Sequence, residues 1–131
     1  MAETYTDYPK KATENAKKVL RWIDTYGRDV VKGGTLVGLA RARQLANGEP
    51  ISESTVKRMA AFNRHRKNSK VDPQYSSEPW RDRGYVAWLL WGGTEGVDWA
   101  IRKSKQIDEE KLSSNQFLIR KIGKQTYYIP K

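Results

Sequence analysis

Residues 35–70, TLVGLARARQLANGEPISESTVKRMAAFNRHRKNSK, decide the fold that the sequence predicts, because they read as helix, break, helix. Thr35 is expected to cap the first of these helices, and apolar residues in this half are spaced densely enough to form a broad helical face. Asn47-Gly48 ends this helix, since glycine adopts the left-handed conformation at little steric cost. Pro50 blocks continuation, and Ser52 is a good N-cap for a second helix. The stretch therefore predicts a helical hairpin.

The second helix of this hairpin has an uncompensated basic flank. Between residues 57 and 70 there are six Lys/Arg and no Asp/Glu. The hairpin admits a helix-turn-helix-like interpretation, with residues 52–66 as the recognition helix. The break over residues 46–51 is longer than the turn of about three or four residues usual in that motif. The alternative is a packed helical hairpin whose basic edge only aids solubility.

Helices are also predicted outside the hairpin. Residues 9–26 repeat apolar positions at three- and four-residue steps, with proline in the first turn. Residues 85–91, YVAWLLW, suit a buried helix or a strand, and their alanine, leucine and tryptophan content favours a helix. A further helix, capped by Thr94, is expected to continue to about residue 112. The sequence thus predicts a mainly α fold, a compact bundle of four to five helices.

The end of the chain has a different pattern. Residues 117–122 and 125–129 are rich in β-branched and aromatic side chains around the turn signal Gly123-Lys124. This pattern is typical of a short β-hairpin. We therefore expect a hairpin, or a strand pair laid against the helices, at the C-terminus.

These patterns divide the chain into three parts. Residues 1–8 are expected to form a flexible N-terminal tail, although Tyr5 and Tyr8 could dock on the core. Residues 9–112 are expected to form the helical domain. Residues 113–131 are expected to add the C-terminal β-hairpin, packed on the same domain.

Composition narrows the function classes. The chain of 131 residues has a net charge of +10, which favours a polyanionic partner, chiefly nucleic acid or an anionic membrane. It has no cysteine, which excludes disulfides, thiolate nucleophiles and cysteine-ligated zinc. The longest apolar run has seven residues, whereas a membrane span needs about 20. We expect a soluble protein with neither a signal peptide nor a membrane partner.

The sequence offers little for catalysis. Because His65 is the only histidine, the sequence offers few ligands for a catalytic metal and a single candidate base for a Ser/His nucleophile system. The acidic cluster at residues 108–110 is read as a solvated helix face. The glycine-rich stretch at residues 92–96 lacks the Lys-Ser/Thr of a Walker A loop and is read as a helix–helix corner. We expect no enzyme activity, no cofactor and no metal.

Candidate binding residues lie in two basic patches, expected to contact mainly phosphates. The central patch comprises Lys57, Arg58, Arg64, His65, Arg66, Lys67 and Lys70. The second patch comprises Arg120, Lys121 and Lys124 in the predicted C-terminal hairpin. The alternative for His65 is a surface or half-buried position near the end of a helix, with no role in binding. Among the tryptophans, Trp80 is expected to be the most exposed, whereas Trp88 and Trp91 are expected in the core.

Three stretches carry a resemblance to a known kind of module. They are YPKKATENAKKVLRW, GTLVGLARARQLANGEPISESTVKRMAAFNRHRKN and AWLLWGGTEGVDWAIRK, within about residues 8–105. Together they resemble a small helical module found in tailed-bacteriophage proteins, alone or appended to head-morphogenesis proteins of the prohead-protease type. The resemblance implies a phage origin and an accessory role around the virion or its DNA, and it supplies no catalytic residues. The C-terminal segment after residue 112 lies outside it.

The expected function is non-enzymatic nucleic-acid binding in a phage context, with DNA as the expected partner. The alternative is a protein–protein module, either a virion assembly component or an inhibitor of an acidic host protein. The expected location is the cytoplasm of the infected bacterium or the virion. A two-fold dimer would suit a helix-turn-helix reader, although nothing in the sequence requires one.

Overall fold

The computed structural model describes residues 3–122, with side chains described for residues 3–112. Within those residues the fold has five α-helices and one two-stranded antiparallel sheet, so the predicted mainly α class is confirmed. The helices are α1 (Lys10–Tyr26), α2 (Leu36–Ala46), α3 (Glu53–Ala61), α4 (Arg83–Leu90) and α5 (Gly93–Ile122). A 3₁₀ helix over Phe62–Ser69, called the 3₁₀ segment below, follows α3 directly. Two further 3₁₀ turns, Pro73–Tyr75 and Pro79–Arg81, lie in the connection before α4.

Side-chain caps start three of the helices, two of them as the sequence predicted. Thr35, Ser52 and Asp82 each accept a hydrogen bond from the backbone amide three residues further on, at 3.1–3.2 Å. Such caps satisfy amides that have no partner within the helix itself. Thr94 was predicted to cap the last helix, but α5 already begins at Gly93, and the Thr94 hydroxyl accepts the Trp88 indole N–H at 3.1 Å.

The two helices of the central stretch pack against different partners. α2 packs mainly on α1, whereas α3 packs mainly on α5. The predicted pair of helices is therefore present, but they do not form a hairpin in which each covers the other. The buried side chains that join these layers include Ala12, Ala16, Val19, Leu45, Val56, Met59, Trp88 and Leu90.

The N-terminal segment is held to the domain. β1 (Thr4–Tyr5) pairs antiparallel with β2 (Ile51–Ser52), immediately before α3. Tyr8 is buried, and its hydroxyl donates to the Glu49 carbonyl at 2.7 Å. The prediction of a flexible tail over residues 1–8 is therefore corrected for residues 4–8, because Tyr5 and Tyr8 do dock.

The predicted C-terminal β-hairpin is also corrected where the structure describes it. Residues 117–122, expected to be its first strand, form the last turns of α5. No glycine or proline occurs between Val97 and Ile122, so nothing stops the helix, and a short apolar run fits either structure by periodicity alone. The other half of the predicted hairpin lies outside the described residues. None of the described helices, α5 included, is both long and apolar enough to cross a membrane.

Candidate nucleic-acid interface

An open cleft of about 570 Å³ lies where the start of α2, the 3₁₀ segment and the last turns of α4 meet. We call it the basic cleft. Its lining residues are Gly34, Thr35, Val37, Arg58, Ala61, Phe62, Arg64, His65, Asn68, Ala87 and Trp91. Two of these residues are arginines, one is the histidine, and none of them is acidic. A concave surface with this composition is suited to an anionic ligand that also has apolar surface.

Small residues bring the walls of the cleft together. A Cβ atom on Gly38 would lie 3.1 Å from the Trp91 indole nitrogen, so the first turn of α2 rests directly on Trp91. A Cβ atom on Gly84 would lie 2.7 Å from the Asn68 side-chain oxygen, so the 3₁₀ segment runs close to α4. The cleft is therefore formed by three closely packed elements and is not a gap between loops.

Three of the predicted binding residues line the cleft. Arg58 and Arg64 are exposed, and neither forms an ion pair with any residue whose side chain is described. Arg64 donates one hydrogen bond to the Ala61 carbonyl at 3.0 Å, which fixes its side chain along the 3₁₀ segment. His65 lies beside them, half-buried. The guanidinium groups of Arg58 and Arg64 keep N–H donors available for a bidentate contact with a phosphate.

Two other predicted binding residues are engaged within the protein. Lys57 forms an ion pair with Asp108, and Arg66 forms one with Asp98, so α5 offsets both charges. The Arg66 guanidinium also lies 5.6 Å from the centre of the Trp88 ring. The sequence could not reveal these pairs, because their partners lie more than thirty residues away along the chain.

The remaining predicted residues do not line the cleft. Lys67 belongs to the 3₁₀ segment, and Lys70 directly follows it. Both are exposed, and neither forms an ion pair within residues 3–112. Arg120 and Lys121 belong to the end of α5, but their side chains are outside the described part, and Lys124 lies beyond it altogether. The predicted second patch is thus neither supported nor contradicted.

The predicted recognition helix over residues 52–66 is corrected. The α-helical part ends at Ala61, and the backbone leaves helical geometry at His65, with φ −104° and ψ 20°. Near its start Thr55 is buried, with 7% of its surface exposed. A helix that reads a DNA groove needs a free leading end. α3 packs on α5, and Glu53 in its first turn forms an ion pair with Lys111, so this leading end is partly covered by α5.

Aromatic rings form the floor and one wall of the cleft. The Phe62 ring lies nearly parallel to Trp91, with centroids 5.4 Å apart and planes inclined at 22°. His65 packs on the same Phe62 ring at 4.8 Å. Trp88 and Trp91 are buried, which confirms their predicted core positions. The sequence analysis did not assign Phe62 to the site, although its three-residue spacing from His65 places both rings on one helical face.

Arg41, which the sequence analysis also missed, lies behind this wall. Its guanidinium is 6.0 Å from the centre of the Trp91 ring and bonds to the Gln44 side chain. Its Nε atom is buried and has no hydrogen-bond partner among the described residues. Burial, and then the nearby charge of Arg58, lower the pKa of Arg41 below its ordinary value. An anion that binds between two like charges reduces the repulsion between them.

Trp80, predicted to be the most accessible tryptophan, is not a free stacking platform. It is half-buried, and its ring stacks on Tyr26 with centroids 4.3 Å apart and planes inclined at 11°. This contact attaches the loop before α4 to the end of α1. The exposed aromatic surface predicted at Trp80 is therefore occupied by the protein itself.

Comparison of the chain with protein-family models, with curated proteins and with solved structures gave no match. The resemblance to a phage module therefore stays a prediction made from the sequence.

Proposed function

We propose that this protein is a non-enzymatic nucleic-acid-binding protein that contacts phosphates through the basic cleft. The observation that carries the proposal is the pair Arg58 and Arg64 on an acid-free surface, beside aromatic rings. Phosphate neutralisation by arginine supplies most of the affinity of such proteins, and it does not depend on a recognition helix. DNA is the partner we propose first.

The resemblance to a tailed-phage module gives the proposal its biological setting. We propose a phage-encoded protein that acts in the cytoplasm of the infected bacterium or is carried in the virion. The surplus of ten positive charges supports a role near packaged or exposed DNA.

The test compares two double variants that lose the same charge. R58A/R64A removes the two arginines of the cleft, and R102A/K105A removes two exposed charges of α5 that do not line it. Fluorescence anisotropy with labelled single- and double-stranded DNA at several salt concentrations measures both affinity and its salt dependence. Samples are treated with nuclease first, so that co-purified nucleic acid does not occupy the site.

We expect R58A/R64A to bind more weakly than R102A/K105A. It should also lower the log–log salt slope by about 0.9 for each lost contact on duplex DNA, or about 0.7 on a single strand. Equal affinities and equal slopes for the two variants would reject the cleft as the binding surface. Absence of binding by the unaltered protein at low salt would reject the proposed function.

A second candidate is a protein–protein module, and one feature favours it. Leu36 is 83% exposed and Val37 is 42% exposed, at the edge of the cleft. An acidic protein partner with an exposed apolar side chain would cover the basic cleft and these two apolar residues together. Such an interface should persist at moderate salt, where phosphate binding weakens steeply. A salt-resistant complex that is lost in L36S would favour this candidate over nucleic acid.

A further inference from the structure

The shape of the basic cleft bears on which form of nucleic acid it takes. A groove-reading protein offers a convex helix or ribbon to a duplex. Here the arginines lie instead at the edge of a hollow of about 570 Å³, a volume within the range of roughly 300–1,000 Å³ usual for small-molecule sites. A hollow accepts a group that projects from its partner. In a nucleic acid that group is an unpaired nucleotide.

The aromatic wall adds a second requirement. Phe62 is held on its inner side by Trp88 and Trp91, at centroid distances of 6.0 and 5.4 Å. His65 packs on the Phe62 ring, with centroids 4.8 Å apart and planes inclined at 54°, and lines the same cleft as Arg64. A nucleobase stacks on such rings only when its own face is free. In a duplex both faces of each base are covered by neighbouring base pairs, so a base within a duplex cannot stack on these rings.

The charges are placed for the other half of a nucleotide. Arg58 belongs to the last turn of α3 and Arg64 to the 3₁₀ segment, so the two flank Phe62 along the chain and line the same cleft. A ligand whose base lies on Phe62 can therefore present its phosphate to either guanidinium. Both arginines lack ion-pair partners among residues 3–112.

We propose that the basic cleft binds one unpaired nucleotide, with its base on Phe62 and His65 and its phosphate on Arg58 and Arg64. The protein then prefers single-stranded nucleic acid to duplex. This inference rests on the proposed nucleic-acid binding and adds the strand form and the role of the base.

The test separates the base from the phosphates. The probes are a labelled 12-nucleotide dT strand, a strand of the same length with abasic sites throughout, and a 12-base-pair duplex. The variants are F62L, which keeps apolar volume in the core but removes the ring, and H65A. Y26L is the matched control, because it removes a surface ring that stacks on Trp80, away from the cleft. Circular dichroism and thermal unfolding verify that each variant is folded.

We expect the unaltered protein to bind the dT strand about ten-fold more tightly than the abasic strand or the duplex, as loss of one stacked base implies. F62L and H65A should each lower dT affinity several-fold and shrink the difference between dT and abasic strands. Neither change removes a phosphate contact, so the salt slope should stay the same. Y26L should bind like the unaltered protein.

Equal binding of all three probes, or F62L and H65A that bind dT like Y26L, would overturn the inference and leave the proposed function intact. Failure of every probe to bind at low salt would overturn both. If poly-glutamate binds in place of DNA under those conditions, the cleft belongs to an acidic protein partner.

Discussion

The Asn15 side-chain amide, buried in α1, donates to the carbonyl oxygen of Gly92 at 2.9 Å, across 77 residues of chain. The same amide nitrogen donates to the Glu95 carboxylate at 2.9 Å. These bonds fix the sharp turn between α4 and α5 against the first helix. Trp91, which lines the basic cleft, immediately precedes this turn, so the buried polar contact also helps to position the aromatic side of the cleft.

The first prediction concerns that contact. Replacing Asn15 with Ala removes its two hydrogen bonds, although the Gly92 carbonyl keeps the Gly96 amide as a donor at 3.1 Å. At about 0.5–1.5 kcal/mol for each hydrogen bond, the loss should be about 1–3 kcal/mol. We expect the free energy of unfolding, measured by urea denaturation, to fall by that amount. E14A at the neighbouring exposed position should change it by no more than about 0.5 kcal/mol. Equal losses in the two variants would show that the Asn15 bond contributes nothing to stability.

The second prediction concerns the turn itself. Gly93 and Gly48 have nearly the same φ, +67° and +66°, a region that side-chain-bearing residues rarely adopt. A Cβ atom on Gly93 would lie 2.3 Å from the Asn15 amide nitrogen, whereas one on Gly48 would meet nothing within 4 Å. G48A should therefore cost only the backbone term, about 1 kcal/mol. G93A should cost at least about 1 kcal/mol more, because buried Asn15 must also move.

A double variant checks this explanation of the Gly93 effect. In an N15A background only the Cβ of residue 15, at 3.3 Å, remains near the added Cβ atom, so G93A should cost much less than in the unaltered protein and approach the cost of G48A in unfolding experiments. An undiminished loss would place the crowding somewhere other than Asn15.

The third prediction separates cations that are paired from those that are free. K57A/R66A removes two positive charges whose partners are Asp108 and Asp98, whereas R58A/R64A removes two without such partners. We expect K57A/R66A to keep DNA affinity within about two-fold while losing up to about 1 kcal/mol of stability per exposed ion pair. Anisotropy titrations and thermal unfolding of the same samples measure both quantities. A larger affinity loss for K57A/R66A would mean that α5 releases these residues to the ligand.

The fourth prediction is a pH dependence at the N-terminal segment. Burial opposes ionisation of Asp7, but hydrogen bonds from Lys103 and from the backbone, together with the positive charge of Lys103, outweigh it, so the pKa of Asp7 is lowered from its ordinary value of 3.8. The carboxylate therefore stabilises the fold above that value, and the contribution is lost as the pH falls through the lower pKa of the folded state. The Lys103–Asp7 pair spans 2.8 Å, and the Asp7 side chain is 59% exposed, so the effect should stay below about 1 kcal/mol.

The measurement is the stability difference between the unaltered protein and D7N from pH 7 to pH 2.5. We expect the unaltered protein to be more stable above about pH 4, and the difference to vanish toward the acidic end. In a K103M background the difference should be small at every pH. A difference that persists at pH 2.5 would assign the effect to packing and not to charge.

Local chemistry explains what the sequence could predict. The caps Thr35 and Ser52 and the break at Asn47-Gly48 each depend on a few neighbouring residues, and the structure has them where expected. Arg58 and Arg64 followed from a charge run that needs no knowledge of the fold. Both line the basic cleft, and their assignment as binding residues stays a prediction.

Contacts between distant residues explain what the sequence could not predict. The apolar face of α3 specifies that a helix must cover it, but not whether that helix is α2 or α5. The ion pairs of Lys57 and Arg66 follow from that choice, so the sequence could not show that these two candidate binding residues are paired within the protein. The sequence does not single out Phe62, because a partly buried ring and a ring at a binding site have the same spacing along the chain.

The pairing of Thr4–Tyr5 with Ile51–Ser52 has a consequence for folding kinetics. Those two bridges close a loop that contains all of α1 and α2, so forming them before the helices would cost the closure entropy of a loop of about 45 residues. The strand pair should therefore form after the helices have docked, and its amides should exchange with deuterium before those of α1. Thr4 and Tyr5 should therefore fold after α1 and unfold before it.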